Sequence, residues 1–235
     1  MKISIIIPCF NEEKSIGLVV ENIQKTLPSQ LLQEIIVVDN NSTDKSPEIA
    51  QKAGAKVIFE KKQGYGAALK AGFKSAIGEI IATLDADGQY PAELIPEIAN
   101  YLLKNNLDFI SCNRTPFSPG SQSLTRKFGN WLLTFATNII FNLKIKDSQS
   151  GMWIFKKSIL EKIWPESDDM PLSEEFKILA ALHPNIKFTE YYIPYRPRIG
   201  ESKLFPIKHG IKNLIYLFKL KLKFFKKAFE LEQKG

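Results

Sequence analysis

The sequence predicts an α/β protein, a mostly parallel central sheet with helices on both faces. Three observations carry that expectation. Short β-rich runs alternate with amphipathic segments of helical period through the first half of the chain. Two of those runs, Glu34–Asp39 and Ile80–Asp85, are apolar almost throughout, as strands covered on both faces are. Polar residues gather at the carboxyl ends of the runs, where parallel sheets bind ligands.

Each element has its own reason. Lys2–Ile7 is rich in isoleucine and is expected to end at Pro8, which has no N–H for a ladder. Glu13–Leu27 places Ile16, Val19, Val20, Ile23 and Leu27 at helical spacing and is stopped by Pro28. Glu34–Asp39 is the next strand, Ser46–Ala53 a helix, Lys56–Phe59 a short strand, and Tyr65–Ala76 a helix entered from Gly64. Ile80–Asp85 is followed by a helix starting near Pro91, since proline is tolerated in a first turn. Asp108–Cys112 makes a further strand.

The 235 residues are 44% apolar and 24% charged, a globular composition long enough to bury a core without disulfides. The net charge of +7 is uneven, because the last thirty residues carry eight lysines and two glutamates while the rest is almost neutral. That distribution argues against a nucleic-acid coat and for one local anionic partner. Cys9 and Cys112 lack metal or redox spacing and read as reduced core thiols. The apolar opening is too short for a signal-peptide core, and no run approaches the roughly 18 apolar residues of a spanning helix. A cytoplasmic body is expected.

Three strand ends carry the polar chemistry: Pro8-Cys9-Phe10-Asn11-Glu12, Asp39-Asn40-Asn41-Ser42-Thr43-Asp44 and Asp85-Ala86-Asp87-Gly88-Gln89. Residues i and i+2 leaving a strand point the same way, so Asp85 and Asp87 can converge on one cation, with Gln89 adding a neutral oxygen. Oxygen donors suit Mg²⁺ or Mn²⁺, which keep positions for substrate phosphates. The plainer alternative is a polar turn cornered on Asp87-Gly88. An EF-hand is excluded, because its sixth position is Tyr90 and its twelfth Pro96. Asp39 is placed to accept from a base or ribose, while Asp44 or Ser46 suits a helix cap. Gly64-Tyr65-Gly66 is either a phosphate-approaching loop or a tight turn into a helix, and it is neither GxGxxG nor a P-loop. Arg114, Arg126, Arg196, Arg198 and Lys203 flank glycine- or proline-rich loops and are candidates for gripping phosphate. His183 and His209 do not fall at metal-ligand or triad spacing in the sequence and read as non-catalytic.

Together these residues resemble the family-2 glycosyltransferases of the GT-A fold, most nearly the dolichol-phosphate mannose synthases and related polyprenyl-phosphate enzymes. The likeness spans about Ile3 to Leu204 and rests on PCFNEE, DNNSTD, GYGAAL, DADGQYP, DSQSGMWIF and RIGESKL. It implies that Pro8, Phe10, Glu12 and Asp39 line the nucleoside of a nucleotide sugar. It implies further that Asp85, Ala86 and Asp87 meet the diphosphate and metal with Gln89, and that Arg114 and Arg126 face phosphates. Arg196 or Arg198, with Lys203, would serve the acceptor-side loop. Asn40-Asn41 stands where the family has Asp-Gly, and SGMW where it has SGFR, which leaves the base and the sugar open.

The reaction so implied is an inverting displacement that moves a hexose from a UDP- or GDP-linked donor to a polyprenyl phosphate. A lipid phosphate is already anionic at neutral pH and needs little base help. An enzyme extending a lipid-linked sugar at a hydroxyl would need a base, and Glu174 or Glu175 offers one, unless both belong to a helix first turn. A sugar-1-phosphate nucleotidyltransferase is a more distant alternative.

The expected organisation is a glycosyltransferase domain over residues 1–205 and a basic amphipathic helix over 206–235. Wound as a helix, the tail puts Lys208, Lys212, Lys219, Lys223, Lys226 and Lys227 on one arc, and Ile207, Ile211, Leu214, Phe218, Leu222, Phe225 and Phe229 on another. Such a helix can lie in an anionic membrane interface, or dock on protein.

Overall fold

The computed structural model describes residues 2–201 and 206–232. In chain order the elements are β1 (Ile3–Cys9), α1 (Ile16–Thr26), β2 (Leu32–Asp39), α2 (Ser46–Lys52), β3 (Lys56–Phe59), α3 (Tyr65–Ser75) and β4 (Ile80–Thr83). A short 3-10 turn leads into α4 (Ile95–Lys104), followed by β5 (Phe109–Asn113), α5 (Leu124–Phe141), β6 (Trp153–Lys156), α6 (Leu172–Leu182), β7 (Phe188–Tyr192) and α7 (Pro206–Glu232). The sheet runs β3-β2-β1-β4-β6-β5-β7 and is parallel except for β6, which is antiparallel to both neighbours.

The strand residues explain the two-sided burial. Side chains alternate across a strand, so Ile3, Ile5 and Ile7 of β1 pack with α1 and α4, while Ile6 packs on the opposite face. That opposite face is filled by aromatic rings around Phe176, whose centroid lies 5.4 Å from Phe73, 5.1 Å from Phe109 and 5.5 Å from Trp153. A third apolar cluster, Phe141, Ile178, Leu217 and Leu220, joins α5, α6 and α7.

Strand β1 runs through Pro8 rather than ending at it, pairing Pro8 with Val38 and Cys9 with Asp39 of β2. The residues of β1 that face β4 alternate, and Ile6 C=O accepts from Leu84 on that side. The missing N–H of Pro8 therefore falls beyond the end of β4 at Thr83, where no ladder needs it. Cys9 and Cys112 are both free and buried, and burial pushes the Cys9 thiol up to about 12.

Candidate active site

Strand order turns at β1, with β2 on one side and β4 on the other, so the crevice lies beyond their carboxyl ends. Because β6 is antiparallel, its amino end and the 147–152 loop arrive at the same rim. The Thr83 hydroxyl fastens that loop, donating to Gly151 C=O at 2.7 Å and accepting from Trp153 N–H at 3.0 Å.

Asp85 and Asp87 stand at the centre of the rim. Asp85 accepts from the Tyr65 hydroxyl at 3.0 Å. Asp87 is only 4% exposed and accepts from the Gln89 N–H at 3.0 Å. Burial, and for Asp85 the neighbouring Asp87 charge, raise both carboxyls above their usual range. Nearby arginine charge opposes that rise without cancelling it, and two hard carboxylates with room for phosphate oxygens match the donor set that Mg²⁺ or Mn²⁺ takes. Among the described residues no cluster of three metal-ligating side chains exists, so the remaining ligands would come from substrate and water.

The segment 195–199 lies along this turn. Arg196 N–H donates to Gln89 C=O at 3.0 Å and Ile199 N–H to Asp87 C=O at 3.0 Å. The Gln89 amide spans the gap, donating to Arg196 C=O at 2.8 Å and accepting from the Tyr195 hydroxyl at 2.9 Å. Gln89 thus braces the two segments, with its oxygen already engaged. Arg198 reaches Asp87 Oδ2 through Nη1 at 2.6 Å and Glu12 through Nη2. Arg196 pairs instead with Glu93, away from the carboxylates. Lys203 lies outside the described residues.

Arg114 is buried and held bidentately by Asp147, Nε to Oδ2 at 2.7 Å and Nη2 to Oδ1 at 3.0 Å. Its guanidinium also lies 4.9 Å from the Tyr195 ring centroid. Asp147 is wholly buried, and despite that burial the Arg114 charge keeps its carboxyl far below the usual range. The Lys177 ammonium, lowered to about 8 by burial, caps Asp147 C=O at 3.1 Å and Ser150 C=O at 2.8 Å.

Several sequence expectations are relocated. The Gly64-Tyr65-Gly66 turn receives protein rather than presenting an open cradle: Ala67 N–H donates to Asp168 C=O at 2.9 Å. A Cβ on Gly64 would lie 2.2 Å from that carbonyl oxygen, which is why glycine is needed there. Asp39 accepts from Ser42 N–H at 3.2 Å and sits behind the wall that Asn40 lines. The Glu175 carboxylate accepts from the N–H groups of Glu166 at 2.9 Å and Ser167 at 2.8 Å, a loop-fastening role. Glu174 is 1% exposed and faces the side-chain amides of Gln149 and Asn213, and burial raises its carboxyl to about 7.

One cleft of about 760 Å³ gathers Pro8, Phe10, Glu12, Asp85, Ala86, Asp87, Gln89, Arg114, Arg126 and Arg198. Its far wall is formed by α5 and α7 and includes Phe128, Leu132, Leu133, Ile211 and Leu214, with His209 among them. Sequence reasoning set His209 aside and did not single out Asn130, Gln149 or Asn213, which also line the cleft. The signal for Asn213 was an amide at position i of the buried stripe Asn213, Leu217, Leu220.

The tail divides its apolar residues. Leu217 and Leu220 are buried on the body, whereas Ile207, Ile211, Ile215, Phe218, Leu222 and Phe225 are exposed. Beside them α5 exposes Phe128, Trp131 and Phe135, with successive ring centroids 5.8 Å and 5.5 Å apart. The lysine arc is divided too: Lys212 pairs with Asp169 and Lys223 with Glu166, while Lys208, Lys219 and Lys226 are exposed. The side chains of Lys227 and Phe229 lie outside the described part. No helix among the described residues is long and apolar enough to cross a membrane.

The sheet, with two carboxylates at its switch point and arginines around them, is built on the GT-A fold. The chain belongs to the family-2 glycosyltransferases, whose model, "Glycosyl transferase family 2", matches residues 4–164. It is 31% identical over 211 residues to a dolichyl-phosphate hexose transferase of Haloferax volcanii, covering 88% of this chain and 89% of that one. It is also 31% identical over 219 residues to a dolichol-phosphate mannosyltransferase of Pyrococcus furiosus, covering 87% of this chain but 59% of that longer protein. A crystal structure of glucosyl-3-phosphoglycerate synthase from Mycobacterium tuberculosis, in complex with Mn²⁺, UDP-glucose and glycerol 3-phosphate, shares the fold. Its TM-score is 0.74 at 19% identity, over 94% of this chain and 79% of that one.

Proposed function

We propose that this protein moves a hexose from a nucleoside-diphosphate sugar to a polyprenyl phosphate at a membrane surface, inverting the anomeric centre. The observation that carries this reading is that one cleft holds Asp85, Asp87 and Arg114 at its polar end and has the apolar α5–α7 pair as its other wall. A charged headgroup on an isoprenoid chain matches both ends at once.

In this reading Pro8, Phe10 and Glu12 flank the nucleoside, with Asp39 behind them. Asp85 and Asp87 are the residues to hold Mg²⁺ or Mn²⁺, which when bound supplies positive charge to the leaving diphosphate. Arg114, oriented by Asp147, adds a fixed cationic group beside the rim. Arg126, which lines the same cleft from α5, meets the acceptor phosphate. Arg198 must leave Asp87 when the site fills, and Lys203, five residues further on in the sequence, adds a second cation for the donor. An anionic acceptor oxygen attacks the anomeric carbon without a base, consistent with Glu174 and Glu175 standing off the cleft wall. The exposed apolar rows of α5 and α7, flanked by Lys208, Lys219 and Lys226, would rest in the cytoplasmic face of an anionic membrane.

The test is turnover of a panel of UDP- and GDP-hexoses against dolichyl and undecaprenyl phosphate, with and without divalent cation. Formation of a polyprenyl-linked hexose is expected with one donor. Transfer only to hydroxyl acceptors would replace this reading.

A further inference from the structure

Asn213 is out of character for its helix. It is 4% exposed and begins the stripe, Asn213, Leu217, Leu220, by which α7 docks on the body. An apolar side chain would serve that docking better, since a buried amide is tolerated only where its polar atoms are bonded. Its Nδ2 donates to Gln149 Oε1 at 3.0 Å, and the Gln149 Nε2 donates in turn to Ser148 Oγ at 2.8 Å. The Asn213 Oδ1 has no partner, and the buried Glu174 carboxyl stands beside the two amides.

The pair has a definite place in the cleft. Gln149 precedes by two residues Gly151, where an added Cβ would lie 2.4 Å from Tyr65 Oη and 3.3 Å from Asp85 Oδ1. Gln149 and Asn213 line the same cleft as Asp85 and Asp87, the residues proposed for the metal and diphosphate, and the donor group next to a diphosphate is the sugar. Their chemistry agrees with that position. Carboxylates only accept and arginines only donate, whereas a neutral amide does both, as a row of hydroxyls requires.

We propose that Asn213 and Gln149 form the hydroxyl-reading subsite for the transferred hexose, so that α7 supplies a specificity residue as well as a docking face. This rests on the nucleotide-sugar reading above, not on the identity of the acceptor. A site that hydrogen-bonds a hydroxyl discriminates between epimers because the wrong one leaves buried polar groups unpaired.

The experiment is calorimetric titration of the full-length protein with Mn²⁺, using UDP-glucose, UDP-galactose, GDP-mannose, UDP and GDP. For Asn213→Ala and for Gln149→Ala, affinity for the preferred nucleotide sugar should fall about tenfold, the loss of one or two hydrogen bonds. Affinity for the free nucleoside diphosphate should stay within about twofold, and the preference between sugars should shrink. Gln149→Ala lies on the loop, so it decides the matter if Asn213→Ala loosens α7. Equal weakening of sugar nucleotide and free diphosphate, or unchanged preference between sugars, overturns the inference. Wild-type protein that binds a nucleotide sugar but makes no polyprenyl-linked product defeats the acceptor reading alone. Binding of no nucleotide sugar at all defeats both.

Discussion

Arg198 and Asp87, 111 residues apart in sequence, meet through Nη1 and Oδ2 at 2.6 Å. The same guanidinium reaches Glu12 beyond the end of β1, so one cation from the 195–199 segment bridges the turns that follow β1 and β4. Its charge offsets part of the burial that raises Asp87, and for Asp85 the Arg114 charge acts in the same direction.

Asp87→Asn is expected to leave the fold intact and to lower transfer by about a hundredfold or more, roughly 3 kcal/mol of barrier. It removes an anionic ligand from a partly open rim. Turnover in saturating Mg²⁺ or Mn²⁺ checks this, and near-normal rates would remove Asp87 from the metal site.

Arg114 and Arg126 should separate on stability. Arg114 belongs to a buried pair, so Asp147→Asn should cost roughly 3–5 kcal/mol in urea denaturation by leaving its guanidinium unmatched. Arg126→Ala, at a partly exposed position, should cost at most about 1 kcal/mol of stability while slowing transfer about tenfold, through loss of a charge-assisted contact. Equal stability losses would contradict the assignment.

Glu174 predicts a pH effect. Burial holds its carboxyl at about 7 against an ordinary 4.5. The raised value means that its stabilising contribution is complete below about 4.5 and is lost as pH rises through about 7. Glu174→Gln keeps the shape without the charge, so it should match wild type near pH 4.5 and exceed it at pH 8, by on the order of 3 kcal/mol. Parallel stability curves for the two proteins would mean the carboxyl is not neutral when folded.

Lys208, Lys219 and Lys226 changed together to Glu should release the protein from anionic vesicles, and added salt should weaken wild-type binding. These exposed positions test the membrane reading more cleanly than removal of α7, which would uncover Leu217 and Leu220. Co-sedimentation at low and high salt reads the outcome, and wild-type protein that stays in the supernatant throughout would sink it.

Much of the first half was legible because its signals are local. The strand Lys56–Phe59 and the starts of the helices at Ser46 and Tyr65 fall where patterning put them. Boundaries moved where a neighbour decides pairing: β1 continues through Pro8 because β4 ends early, which no reading of β1 alone contains. The antiparallel β6 and the edge strand β7 had no such local signature, since strand direction is a property of the pairing.

By itself the sequence determined the sheet class, the rim formed by the ends of β1, β2 and β4, and the carboxylate pair Asp85 and Asp87. Periodicity and strand-end chemistry are written in neighbouring residues. Only the tertiary structure decided which polar groups bind one another and which face the cleft. Arg114 is claimed by Asp147, Gln89 by Tyr195 and Arg196, and Glu175 by the 166–167 backbone. Asn213 reaches the cleft from a tail whose lysines and phenylalanines spoke only of a surface. Most of those outcomes depend on contacts between residues tens to over a hundred positions apart, and a buried donor or acceptor takes whichever partner the packing brings within about 3 Å.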